Sequence, residues 1–549
     1  MNDADIRPIL LTVLNKVSNE VDPALAARLL DSSDDLPLSE LGMDSLEGIE
    51  CCMEIETLTG VELDPAELAI VDTFAGLAAL VAERQREGAR RKDAPVLARV
   101  PRNGPLAVSL EQEAIWDFCR SGEKGYTIPI IDRLSGPLDV AALRQSLTCI
   151  VTRHEILRTV FAEVDGQPRQ FAQPAEPIAL AVRQIENGSH ARHEILGAIR
   201  EERARVADPT RGPLIRFALF RLAENEHWLL TVCHHLLWDA HSTRLFHEEM
   251  SELHPEFVAG LEPPFPDAEE LQYADFAVWQ RELLARKAPD DQENIQWWKE
   301  RFTGAPTSLS LPWERTKASA ATNPADGFID WPVDDALDRR LADLGRGEGA
   351  SLYNMWLAAF VAVLVAETGQ GDVTVGSYMT NRTLPALRNM IGYFANLVPI
   401  RCRCDLAQPF SAWLAEVRSV VTDAKAHSEL PLNHLRPALE KLGAALPEIQ
   451  LIFGANLAYG RESLAFGGLE LTKPNIVDVS EMPWGFSLNL LELDGRKVCR
   501  AAFDAGRYDP CAVRQSIGRI PHLLQAAAHR RDLPMNELLG LAATGSTAF

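Results

Sequence analysis

Apolar residues near the start of the chain (Ile6, Ile9, Leu10, Val13, Leu14 and Val17) recur at the spacing of one helical face. A second helix is predicted from Ser45 to Thr59, with Leu46, Ile49 and Met53 inward and Gly60 as its stop. In "DPAE", Asp64 can cap a helix, Pro65 suits its first position and Glu67 can complete a capping box. "DTFAGLAALV" opens a further helix, with Thr73 as cap and Phe74, Leu77 and Leu80 facing in. These elements predict a small all-helical unit over residues 1–86. Periodicity then stops over 87–105, "EGARRKDAPVLARVPRNGP", which reads as a solvated linker.

From residue 106 onward strand and helix signals mix. "HWLLTVCHH" is a short run of strand formers, and "DAHSTRLFHEEMSELH" sets Leu245, Phe246, Met250 and Leu253 near helical spacing. "SLYNMWLAAFVAVLVAETG" reads as a buried helix, its longest apolar run (Met355–Ala366) being too short to span a bilayer. "GDVTVGSY" after it alternates as a strand does. The prediction is an α/β body of two lobes, 106–280 and 281–535, with a frayed tail at 536–549. "RYDP" at Arg507 and "WWKE" at Trp297 read as surface elements.

A length of 549 residues fits several domains, and 46% apolar with 24% charged residues is a globular composition. The net charge of -24 argues against partners made of nucleic acid or anionic membrane. Nine cysteines, an odd number without zinc-knuckle spacing, read as reduced thiols. "MNDADIRPIL" lacks the shape of a signal peptide, so a cytoplasmic location is expected.

Two stretches carry chemistry. In "LGMDSLEGIE", Ser45 precedes an amphipathic helix, where serine is a favoured cap. In "CHHLLWDAHS", His234 and His235 cannot both line one cavity if the strand continues through them, since successive side chains point to opposite faces. One is then a support and the other is available for function. Three readings stand: histidines ending a strand, a metal site recruiting His235, Asp239, His241 and His247, or a base beside a carbonyl and a nucleophile. The spacing matches no standard zinc signature.

The first unit resembles carrier proteins, on "LGMDSLEGIE" and "VDTFAGL". The resemblance implies that Ser45 carries 4'-phosphopantetheine, attached by a phosphopantetheinyl transferase, with an acyl or peptidyl thioester at its end. The second resembles condensation domains of nonribosomal peptide synthetases, through "SLEQEAIW", "RHEILRTVF", "HHLLWDA", "YADFAVWQ" and "IGYFANLVPIR" in that order. It implies multidomain architecture: a four-helix carrier bundle, then an α/β condensation domain of two chloramphenicol-acetyltransferase-like lobes. By the same resemblance His235 is catalytic, His234 supports it, and Asp239 pairs with an arginine of "RHEILRTVF", Arg153 in preference to Arg158. The implied reaction joins a carrier-bound acyl group to an amine, as an amide. Upstream synthase modules and a downstream carrier or free amine are the implied partners. The alternatives are an acyltransferase that makes an ester or releases its chain, and a silent domain that recruits a partner enzyme. The chain departs from the pattern at Ala240, where the motif has glycine and φ > 0 would be hindered, and at Ala114, Glu111 and Ser487; no late "RNP"-type motif is found.

Overall fold

In the computed structural model the chain divides into two compact units, one holding Met1–Val96 and the other nearly all of Leu97–Phe549. The structure describes residues 3–17, 28–29, 55, 58–59, 61, 73–91, 96–120, 126–186, 191–261, 271–287, 291–315, 327–382, 384–456, 465–466, 469–472, 485–493 and 496–543. Ser45, with most of the predicted Ser45–Thr59 helix and the "DPAE" cap, lies outside them.

In the first unit, helix α1 (Asp3–Val17) and helix α2 (Phe74–Arg91) bury the faces their spacing predicts. Ile6, Leu10, Val13 and Leu14 share a core with Phe74, Leu77 and Val81. Thr73 Oγ1 caps α2 by accepting the Gly76 N–H at 3.1 Å. Arg7 is also buried; it donates to the Leu29 carbonyl at 3.0 Å and lies over the Phe74 ring. Helix α2 continues past residue 86, where a linker was expected, because "RQREGARR" is made of helix formers and one glycine costs only about 1 kcal/mol.

The second unit begins with β1 (Leu106–Ala107), α3 (Leu110–Arg120), β2 (Thr127–Ser135) and α4 (Val140–Arg153). It continues through β3 (Thr159–Val164), β4 (Gln167–Ala172), β5 (Ala181–Gln184), α5 (Ala191–Val206), β6 (Ile215–Ala223) and β7 (Glu226–His234). Helices α6 (Ala240–Val258), α7 (Tyr273–Lys287) and α8 (Asp291–Phe302) follow. Strand β7 lies antiparallel between β2 and β6 and is covered on both faces. Its alternation sorts the two cores: Leu229 and Cys233 pack with Leu147 of α4 and Phe246 of α6, whereas Leu230 and Val232 pack with Ile195 and Ile199 of α5. That double burial is why the strand reads as a continuous apolar run.

The second lobe holds β8 (Phe328–Pro332), α9 (Asp335–Glu348), α10 (Leu352–Thr368), β9 (Asp372–Thr380) and β10 (Ala395–Arg403). Then come α11 (Phe410–Ala426), α12 (Leu432–Lys441), β11 (Leu451–Asn456), β12 (Ala465–Phe466), β13 (Leu469–Thr472), β14 (Phe486–Leu493) and β15 (Arg496–Phe503). Helices α13 (Pro510–Ile517), α14 (Arg519–Arg530) and α15 (Met535–Ala543) close the described chain. The sheet runs β10–β9–β11–β14–β15–β8. Helix α10 is capped by Ser351, stopped by Gly369 at φ 69°, and buried throughout Met355–Val365. No single described helix is long and apolar enough to cross a membrane.

The lobes are not separated by one cut at residue 280. Helix α7 runs through that position with Tyr273, Phe276 and Trp279 in the first lobe's core. The segment between β9 and β10 places Leu387, Met390, Ile391, Tyr393 and Phe394 in that same core. Strand β13 pairs with β2, so later chain completes the first sheet, in the order β12–β13–β2–β7–β6–β5.

Several surface expectations are corrected. Residues 536–543 are no frayed tail, since α15 buries Met535, Leu538 and Leu539 in the second core. Trp298 of "WWKE" and Tyr508 of "RYDP" are core residues: Trp298 donates to His427 O at the end of α11, and Tyr508 packs edge-on against Phe486 of β14. Arg102 of "RVPR" is docked, with Nε 2.7 Å from Glu155 and Nη1 2.7 Å from Asp275.

Candidate active site

Strand β7 ends at the paired histidines because the backbone changes partner there. The His234 N–H donates to Leu214 O at 2.8 Å, the His235 N–H donates to Tyr126 O at 2.8 Å, and His235–Leu237 close a 3-10 turn. The two side chains go to different surroundings. His234 is fully buried; its Nδ1 accepts the Leu236 N–H at 3.2 Å, which puts its proton on Nε2, 3.8 Å from Cys119 Sγ. Burial pushes its pKa down to about 3, so it is a neutral strut.

His235 is partly exposed. Its Nδ1 lies 2.7 Å from Trp238 O, a carbonyl that only accepts, so Nδ1 carries the proton and Nε2 presents a lone pair. Burial lowers its pKa to about 4, against the opposing pull of the Trp238 carbonyl. The ring lies against Tyr126 (centroids 4.3 Å apart) and meets Tyr393 edge-on at 5.1 Å. It is a fixed, neutral acceptor in an aromatic frame.

Asp239 caps α6. It accepts the Ser242 N–H at 2.8 Å and the Phe394 N–H at 3.2 Å, and both of its oxygens lie 3.1 Å from Arg382 Nη2. The expected partner Arg153 is not there: its Nε lies 3.4 Å from Glu249. The reason is topological. Arg153 ends α4 beside Glu249, well along α6, whereas Arg382 enters from the segment after β9, facing the helix start. Arg382 also donates to Leu387 O and Met390 O and stacks on Phe394 at 3.9 Å. The segment that crosses between the lobes is thereby tied to the cap of the helix following His235.

Ala240 is the exposed first residue of α6. Among described residues only Asp165 is a non-glycine with positive φ, so alanine meets no backbone penalty at 240. Among described residues no three metal-ligating side chains converge. Asp239 faces Arg382, His247 faces Asp132 at 2.9 Å, and His241 Nε2 lies 2.8 Å from Arg388 O.

Motif reasoning missed Tyr126, Tyr393, Arg382 and Gln112, whose Nε2 donates to Leu236 O at 2.9 Å inside the histidine turn. Gln112 and Tyr393 stand within the quoted motifs; Arg382 and Tyr126 carry no local signal.

The site is thus a fixed, neutral histidine at the end of β7, followed by an ion-paired aspartate that caps the next helix. Residues 104–546 match the condensation-domain family and residues 16–81 the phosphopantetheine attachment site, so this chain belongs to the condensation-domain family and carries a phosphopantetheine carrier domain ahead of it. The phosphinothricin tripeptide synthetase PhsC of Streptomyces viridochromogenes is 32% identical over 65% of this chain and 33% of its own length. The probable non-canonical nonribosomal peptide synthetase CymA of Salinispora arenicola is 31% identical over 73% of this chain and 5% of its own. The chain thus spans a small part of these synthetases. Among solved structures, the X-domain from teicoplanin biosynthesis superposes with a TM-score of 0.68 at 24% identity, covering 80% of this chain and 99% of that one. The first condensation domain of the calcium-dependent antibiotic synthetase gives 0.67 at 20% identity, covering 80% and 99%. The two-lobed condensation fold follows from these likenesses.

Proposed function

We propose that the second unit transfers a carrier-bound acyl group to an amine, forming an amide, with His235 as the catalytic residue and Ser45 as the attachment point of the arm. The observation that supports it is the imidazole itself: tautomer fixed by Trp238, Nε2 without a hydrogen-bond partner among the described residues, ring partly exposed. The fit to an acyl-bearing arm is judged at this end, because Ser45 lies outside the described residues. The rings of Tyr126 and Tyr393 flank the imidazole, and no charged side chain is hydrogen-bonded to it among the described residues, a setting suited to an uncharged thioester.

When bound, phosphopantetheine presents the acyl group as a thioester on a flexible arm. His235 stays unprotonated across the neutral range because its pKa lies near 4. So weak a base takes a proton only from an amine made acidic by bond formation, so its Nε2 would act late, taking the amine proton as the C–N bond forms and the C–S bond breaks, and passing it to the departing sulfur. Holding the partners together supplies the rest of the acceleration. Asp239 and Arg382 keep the turn in place. A phosphopantetheinyl transferase, upstream modules and a downstream carrier or free amine are the partners this reading requires, and the cytoplasm is the compartment it implies.

Intact-mass measurement after treatment with a phosphopantetheinyl transferase and coenzyme A should show one added arm, absent in Ser45→Ala. The acyl-loaded protein, offered an amine and an alcohol together, should yield the amide. Addition of the arm to Ser45→Ala overturns the attachment site, and an ester as the main product overturns the reaction class.

A further inference from the structure

Glu111 stands in the first turn of α3 and is 1% exposed. A carboxylate buried to that degree must be held by donors or lose its charge. Gln280 Nε2 of α7 donates to both of its oxygens at 2.9 Å, and Asn381 Nδ2 donates to Oε1 at 2.8 Å. Burial raises its pKa, and the Asn381 and Gln280 donors oppose that rise.

The position of Asn381 gives these bonds their significance. It is the first residue after β9, where chain leaves the second lobe's sheet for the first lobe's core. Its N–H donates to Phe394 O at 2.9 Å, and its neighbour Arg382 holds Asp239. Asp239 follows Trp238, whose carbonyl fixes the His235 tautomer. Gln112, next to Glu111, holds the same turn directly through Leu236 O. Ser109 Oγ lies 2.8 Å from the Tyr273 hydroxyl, which donates to Tyr393 O. One helical turn, residues 109–112, therefore grips the histidine turn and the lobe-crossing segment together.

We propose that Glu111 is a positioning residue: by holding Asn381 against α3 and α7 it fixes the Arg382–Asp239 pair, and through that pair the orientation of His235. It touches no reacting atom. The proposal rests on the amide-forming reading only for its kinetic readout.

The test uses the full chain, with Glu111→Ala, Glu111→Gln and Asn381→Ala. Hydrogen exchange of residues 391–394 should rise in Glu111→Ala, since Gly392 donates to Ser242 Oγ and Phe394 to Asp239, while β14 and β15 stay protected. In amide formation Glu111→Ala should lose roughly tenfold or more in kcat with acceptor KM little changed. Glu111→Gln, which keeps one acceptor oxygen, should recover most of that. The pair Glu111→Ala/Asn381→Ala should be no worse than the poorer single variant, because both cut one link. Unchanged exchange at 391–394, or losses that multiply in the double variant, overturns the proposal. If Glu111→Ala does not fold, Glu111→Gln and Asn381→Ala carry the comparison. If the unsubstituted chain makes no amide, the functional reading fails while the exchange measurement still decides the role of Glu111.

Discussion

Asp239 gathers a backbone N–H from its own helix, a backbone N–H from the crossing segment and the Arg382 guanidinium around one buried carboxylate. Removing one partner of a buried ion pair leaves the other uncompensated, at a cost of about 3–5 kcal/mol. Arg382→Ala should therefore destabilise the protein strongly in urea unfolding. Arg153→Ala, whose contact to Glu249 is longer at 3.4 Å, should cost about 1 kcal/mol. Equal losses would contradict the assignment of the pair. Buried His234 makes a second residue-scale prediction. The folded pKa of His234 is lowered from 6.5 to about 3, so below pH 6.5 the unfolded chain binds the extra proton and the folded one does not. Stability must then fall as pH drops from about 6.5 towards 3. His234→Asn, which keeps an acceptor for the Leu236 N–H and does not titrate, should lose less urea resistance between pH 7.5 and 5.5 than the unsubstituted chain. At this scale the sequence singled out His234, His235 and Asp239 because they stand in one short stretch, and the structure places them on one turn and the helix cap that follows it. Sequence reasoning misassigned the partner of Asp239: Arg382 is 143 residues away and only the fold brings it there.

Among elements, amphipathic pattern was a sound guide where one face is solvated, as in α1 and α2, and where burial is complete, as in α10. It failed at ends and junctions. Helix α15 is short and follows "RRDLP", and its three core residues look unremarkable until the fold supplies the surface they cover. Ending the chain at residue 534 should lower the unfolding temperature or the soluble yield markedly, since Met535, Leu538 and Leu539 would leave the core. A chain unaffected by that truncation would show α15 to be dispensable.

Over the whole molecule, two chain segments returning to the first lobe make the lobes one structure: the stretch from Asn381 to Phe394, and β13 beside β2. No local pattern announces such returns, so a division at residue 280 read well in sequence and does not describe the fold. The returning segment also brings Arg382 and Tyr393 to the histidine turn, so the candidate site is complete only when both lobes are. Amide formation through His235 is the proposal on which the rest depends. The most direct test is single-turnover amide formation from acyl-loaded protein and an amine, comparing the unsubstituted chain with His235→Ala. His235→Ala should lose roughly a hundredfold or more in rate with the fold intact by circular dichroism; undiminished product from His235→Ala would contradict catalysis by this histidine.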